Sequence, residues 1–197
     1  MIVEQIWTGN AYRNFNYLIA CPETGEALAI DPLDFRKCLA VASDRGWRIT
    51  QVLNTHEHGD HVRGVPVLAR KYSLPVWLTR GTHLFMRDDS SLDLHYLDGH
   101  RSHALGDIEV HPYTVPHDAR EPCQFTFSDG ANRFGMLTDS GRITAHICES
   151  LHACDALLLE CNHDTDMLAR GPYSASLKSR VGGPLGHLSN CEAADLL

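Results

Sequence analysis

The sequence predicts an α/β fold in which two packed mixed sheets are flanked by helices. Apolar segments rich in β-branched and aromatic residues alternate along the chain with stretches of helical spacing. The pattern occurs twice, strands first and helices after, and two such halves bury their apolar faces best as sheet against sheet with helices outside. With 197 residues, 43% of them hydrophobic, the chain suits a single domain spanning 1–197 around one substantial core.

In the first half, residues 2–7, 16–20 and 27–30 read as short strands, with a turn at 22–25 where Pro22 and Gly25 break the apolar pattern. Residues 34–45 carry Phe35, Leu39, Val41 and Ala42 at helical spacing and stop at Gly46. A strand at 49–54 leads into a dense histidine cluster, followed by a helix over 62–72 and a short strand at 76–78. Residues 83–106 are polar and histidine-rich, and are expected to form a surface loop or lid. In the second half, 108–115, 124–128 and 133–137 read as strands and 144–152 as a helix. The continuous apolar run at 156–160 is expected to be a strand buried on both faces. Short helices are expected at 164–169 and 173–181.

Charge and composition narrow the function. Lys plus Arg is 17 against 25 for Asp plus Glu, a formal charge of −8, which excludes a general basic surface for nucleic acid. A local site in which bound cations supply the positive charge stays open. No apolar run approaches the roughly 18–20 residues of a membrane span. The opening MIVEQIWTGN also lacks a basic stretch followed by an apolar one, so a cytoplasmic protein without a membrane partner is expected. Seven cysteines without a C-x-x-C fit neither a disulfide framework nor a zinc ribbon, and are expected to be reduced, buried and packed as small apolar groups.

The chemistry concentrates in Thr55-His56-Glu57-His58-Gly59-Asp60-His61. A strand end turning into a loop can aim His56 and His58 at one point, and Asp60 and His61 at a second point beside it. Neutral imidazoles with a hard carboxylate suit zinc, and also manganese or iron(II). His117, Asp139 and His187 each follow a predicted strand or precede a helix. Alone they would be a strand-end cap, a turn residue and a helix-entry residue; beside the first cluster they read as further ligands converging on one sheet edge.

The succession H-x-H-x-D-H, then His, Asp and His, resembles the metallo-β-lactamase superfamily. That resemblance implies an αββα fold and two divalent metal ions, zinc first. It assigns His56, His58 and His117 to one ion and Asp60, His61 and His187 to the other, with Asp139 bridging. It also implies Asp31, which by itself is a turn former before Pro32, as the acidic residue beneath the metal-binding loop. Residues 1–55, with T-G-E-A-L-A-I-D-P and V-L-N-T-H, resemble the glyoxalase II group. From His56 onward, T-H-E-H-G-D-H-V-R-G, V-P-H-D-A-R-E-P-C and L-L-L-E-C-N-H-D resemble the YycJ/WalJ exonuclease-like group. The chain thus reads as a composite, and its C-terminal part as shortened, since the resemblance implies a further strand and helix after G-H-L-S-N.

Two ions about 3.5–4 Å apart can lower the pKa of a water between them toward neutrality. The resemblance to the YycJ/WalJ group implies, as the first functional reading, a binuclear metal-dependent phosphodiesterase, exonuclease-like, acting on a nucleic-acid or small-molecule phosphodiester. The alternatives are a thioester (hydroxyacylglutathione) or lactone hydrolase, and a metal-binding scaffold with little activity. Asp60 or Asp139 would orient the attacking water, and His163, in E-C-N-H-D, would be the acid for the leaving oxygen. Ser140, Lys178, Arg63, Arg80 and Arg120 are candidates for contact with phosphate.

Overall fold

The computed structural model describes residues 1–86, 89–99 and 101–197. The first sheet contains β1 (Ile2–Trp7), β2 (Phe15–Ala20), β3 (Glu26–Ile30), β4 (Arg48–Leu53), β5 (Pro75–Leu78) and β6 (Asp93–Tyr96), in that order. It is antiparallel from β1 to β3 and parallel from β3 to β6. The second sheet contains β7 (His103–Leu105), β8 (Ile108–Thr114), β9 (Cys123–Ser128), β10 (Arg133–Leu137) and β11 (Ala156–Leu159), ordered β11-β10-β9-β8-β7. Only its β10–β11 pair is parallel.

The alternation of side chains along each strand divides the core into layers. Tyr17 and Ile19 on β2, Leu28 and Ile30 on β3 and Leu53 on β4 pack against Val110, Phe125, Phe127 and Met136 of the second sheet. The intervening Leu18, Ala29 and Val52 face the other way, beneath α1 (Phe35–Arg45) and α3 (Val65–Tyr72), which contribute Cys38, Ala42, Val65 and Leu68. Both faces of these strands are therefore buried, which is why they read as continuous apolar runs. On the far side, α5 (Ala145–Leu151) lays Ile147 and Leu151 on Tyr113 and Leu137. The result is the four-layer helix–sheet–sheet–helix arrangement that the resemblance implies.

Local signals set the element ends. The Asp34 side chain accepts from the Lys37 amide at the start of α1, and Gly46 ends that helix at φ 70°, where a side chain would be strained. The expected helix over 62–72 is broken in two, α2 (Gly59–Val62) and α3, at Arg63–Gly64. Gly64 is pressed onto the loop after β3: a Cβ there would lie 1.8 Å from the Pro32 carbonyl oxygen and 2.7 Å from that of Leu33. Because backbone blocks it, Gly64→Ala should destabilise the protein by about 3 kcal/mol or more. Thermal unfolding measures this, and a loss below about 1 kcal/mol would mean that the two loops separate freely.

Three expectations are corrected. Much of the stretch at 83–106 is structured: it contains the end of α4 (Arg80–Phe85) and one strand of each sheet, β6 and β7. Residues 87, 88 and 100 of it lie outside the described residues. Strand β11 is not buried on both faces; it lies at a sheet edge, with Ala156 exposed and its leucines half-buried. Of the cysteines, Cys21, Cys38 and Cys123 are buried as expected, but Cys148, Cys161 and Cys191 are exposed. Among the described residues, no helix is long and apolar enough to cross a membrane.

Candidate metal centre

Strands β3 and β4 of the first sheet, and β8, β10 and β11 of the second, run out at the same edge of the sandwich. Asp31 follows β3, Asn54 to His58 follow β4, His117 follows β8, Asp139 follows β10 and Glu160 follows β11. The parallel pairing of β10 with β11 brings their ends together, so that Asp139 and Glu160, which follow them, come into one cluster of donor atoms.

Donor atoms meet there in three overlapping groups: His56, His58 and His117; His56, His61 and Asp139; and Asp139, Glu160 and His187. Within each group the atoms lie within 4.8 Å of one another. Asp60 stands beside the second group, its Oδ2 3.9 Å from His61 Nε2. Six of the seven ligands expected from the sequence thus fall into these groups, and the seventh lies against them. Glu160 is a member the sequence reading missed. Its signal was an acidic residue closing the apolar run of β11.

Hydrogen bonds fix the face that each imidazole turns inward. His117 Nδ1 donates to the Gly186 carbonyl at 2.9 Å and His58 Nε2 to the Asp118 carbonyl at 3.2 Å. His61 Nδ1 is 2.9 Å from Asp31 Oδ2, and His187 Nδ1 is 2.6 Å from Glu160 Oε1. Thr55 Oγ1 spends its proton on Asp31 Oδ2 and so accepts from His56 Nδ1 at 2.9 Å. In their neutral forms these rings carry the proton on the outward nitrogen, and the inward one presents a lone pair: His56 Nε2, His58 Nδ1, His117 Nε2 and His61 Nε2.

This arrangement fits a divalent ion. His58 Nδ1 lies 2.9 Å from His56 Nε2 and 3.3 Å from His117 Nε2, and lone pairs so close repel unless a cation is shared between them. Tetrahedral zinc with Zn–N bonds of about 2.0–2.1 Å sets its nitrogens about 3.3 Å apart, which these spacings approach. Buried Asp31 and Glu160 act through the histidines they hold. Asp31 also accepts from the Asn54 side chain and the Thr55 amide, and Glu160 from the Ser140 and Leu188 amides.

Electrostatics separates the two sides. Burial, reinforced by His61 and His117, holds His56 well below the usual histidine range, so it is neutral and ready to donate a lone pair. Burial also opposes charge on His61, but Asp139 and Asp31 outweigh it and lift that ring to about 9. His187 is raised too, because the Glu160 hydrogen bond overcomes burial. The carboxylate-rich side thus holds positive charge more strongly than the all-histidine side.

Other candidates lie further out. His163 bridges to Ser189 rather than joining a donor group, and its buried Nδ1 has no hydrogen-bond partner among the described residues. Burial lowers its pKa. The Ser140 hydroxyl donates to the Arg142 carbonyl, and the Lys178 ammonium donates to the Ala169 carbonyl. The Arg80 guanidinium stacks 4.2 Å over the Tyr96 ring, and that of Arg63 folds back over Gly59.

Comparison with known proteins shows the family and the fold. Residues 29–197 match the family model described as the beta-lactamase superfamily domain. The chain is 78% identical over 64 residues to a hydroxyacylglutathione hydrolase of Nitrosococcus oceani, a stretch covering 32% of this chain and 24% of that protein. It is 35% identical over 151 residues to the exodeoxyribonuclease YycJ of Bacillus anthracis, covering 74% of this chain and 57% of that one. The chain thus spans little more than half the length of one of these relatives and a quarter of the other. The metallo-beta-lactamase fold protein YhfI from Bacillus subtilis superposes with a TM-score of 0.71 at 15% identity, over 98% of this chain and 79% of that one.

Proposed function

The chain belongs to the beta-lactamase superfamily, and on that premise we propose that it is a cytoplasmic, binuclear metal-dependent phosphodiesterase of the exonuclease kind. The similarity to YycJ carries this choice of substrate. A stretch covering 74% of the chain must include His56 through Asp139 wherever it begins, whereas 64 residues cannot hold both. The likeness to an exodeoxyribonuclease therefore takes in the first two donor groups whole, and the 64-residue likeness to the thioester hydrolase only part of them, although a hydroxyacylglutathione hydrolase of Rhodopseudomonas palustris matches 125 residues at the lower identity of 29%. That 78% stretch nevertheless favours thioester hydrolysis as the second reading.

In this reading, His56, His58 and His117 would hold one ion, and Asp60, His61 and His187 the other, with Asp139 available to either. The two ions, when bound, supply a water of lowered pKa and positive charge facing the phosphoryl oxygens. Asp60 orients the attacking water by accepting its hydrogen bond, and the Asn14 amide, donating to the Asp60 carbonyl at 2.6 Å, fixes the backbone that carries it. His163, neutral near pH 7 because burial lowers its pKa, offers its Nε2 hydrogen to the leaving oxygen.

Hydrolysis of an aryl phosphodiester and an aryl thioester by zinc- or manganese-loaded protein tests the assignment. Turnover of the phosphodiester is expected; turnover of the thioester alone would replace the first reading with the second. His163→Ala should keep its metal while losing about 10²-fold or more in rate on phosphodiesters with poor leaving groups, and little on activated ones. Equal slowing of both would remove His163 from the leaving-group role.

A further inference from the structure

At the mouth of the centre, Asp118 follows His117 directly. Its Oδ1 lies 3.5 Å from His117 Nε2 and 3.6 Å from His58 Nε2. One step further out is Arg180, near the end of α7 (Ala175–Val181). Its guanidinium forks onto Asp118, with Nε 2.5 Å from Oδ2 and Nη2 3.1 Å from Oδ1. The Arg180 side chain is 51% exposed, so the pair stands at the rim rather than in the core. The guanidinium also acts electrostatically on Asp60 and His187, both on the side of the centre opposite His58.

We propose that Arg180 binds the phosphate of the substrate, leaving Asp118 as the anion arrives. The proposal rests on the phosphodiesterase reading and names the group that would make the site select for phosphoryl esters. A guanidinium fork that fits a carboxylate equally fits two non-bridging oxygens of a phosphate. In the free protein, Asp118 occupies the fork and keeps it aimed at the mouth. The pair is neutral, which matters in a chain of net charge −8 whose centre is ringed by Asp60, Asp118 and Asp139. The bound ions would be taken up by their own carboxylate ligands, and the arginine adds a positive charge at the rim that an anionic ester meets first; an uncharged ester gains nothing from it.

Binding of inorganic phosphate to the zinc-loaded protein, followed by calorimetry, tests the proposal. Arg180→Ala should weaken binding at least about tenfold, and Arg180→Lys should weaken it less because it keeps the charge without the fork. Asp118→Asn should tighten binding, since the guanidinium loses its competing carboxylate. A pair that merely fastens α7 would make R180A and D118N behave alike. Zinc content, measured in each variant, should be unchanged in R180A. Equal phosphate affinity in wild type and R180A, weakening in both R180A and D118N, or no phosphate bound by wild type would each overturn the proposal. Phosphate binding that depends on Arg180, in a protein that turns over no phosphodiester, would uphold the arginine site and count against the phosphodiesterase reading alone.

Discussion

Replacing His58 by alanine is expected to remove at least one metal ion and nearly all hydrolysis. His58 Nδ1 is the nitrogen that closes the first donor group, 2.9 Å from His56 Nε2 and 3.3 Å from His117 Nε2. Losing residues that merely orient a ligand costs about 10–100-fold in metal affinity or activity, and a direct donor should exceed that. Its side chain is 25% exposed, so truncation opens no large cavity, and unfolding should not obscure the result. His152→Ala, an exposed histidine away from the donor groups, serves as the control and should keep both ions. Metal content and aryl phosphodiester turnover are measured together; a His58→Ala protein with unchanged metal content would sink the site assignment.

The donors were legible because they are local or chemically conspicuous. His56, His58, Asp60 and His61 lie within six positions after a strand, and His117, Asp139 and His187 stand among otherwise apolar or turn-forming neighbours. The sheets were legible for a similar reason, since strands covered on both faces leave continuous apolar runs such as those of β2 and β3. The missed features depend on tertiary placement. Glu160 is one acidic residue among 25 Asp and Glu until the pairing of β10 with β11 brings the two strand ends, and with them Asp139 and Glu160, together. Strands β6 and β7, of four and three residues, are held by pairing with β5 and β8 rather than by composition, so their polar sequence reads as a loop. The apolar run of β11 resembles a buried central strand, and only sheet order reveals it as an edge. Arg180 draws no attention in sequence, because its partner Asp118 is 62 residues away.

Asp31→Asn is expected to weaken metal binding on the His61 side of the centre while leaving most of the fold intact, and Asp31→Ala to damage both. Asp31 is buried and accepts four hydrogen bonds: from Thr55 N at 2.8 Å, Thr55 Oγ1 at 2.6 Å, Asn54 Nδ2 at 2.6 Å and His61 Nδ1 at 2.9 Å. Alanine leaves these donors without an acceptor, at about 1–3 kcal/mol for each that water cannot reach. It also places an ordinary side chain at φ 46°, a left-handed conformation that Asp and Asn adopt more readily. A net loss of about 3–5 kcal/mol is expected, read as a fall in melting temperature of roughly 10 °C or more. Asparagine keeps the shape and the backbone preference, but one of its two positions becomes an NH₂ donor. That donor faces Thr55 Oγ1 and His61 Nδ1, which both need an acceptor. To accept from the amide, the His61 ring must shift its proton to Nε2, the atom 3.8 Å from Asp139 Oδ2 that would otherwise present a lone pair to the ion. Metal affinity on that side should fall about 10–100-fold while the His56, His58 and His117 group keeps its ion, provided Thr55 still accepts from His56. Titration of metal-free protein with zinc resolves the two steps. Two equally tight equivalents in Asp31→Asn would mean that Asp31 does not set the His61 tautomer, and the carboxylate would then be no more than a structural acceptor.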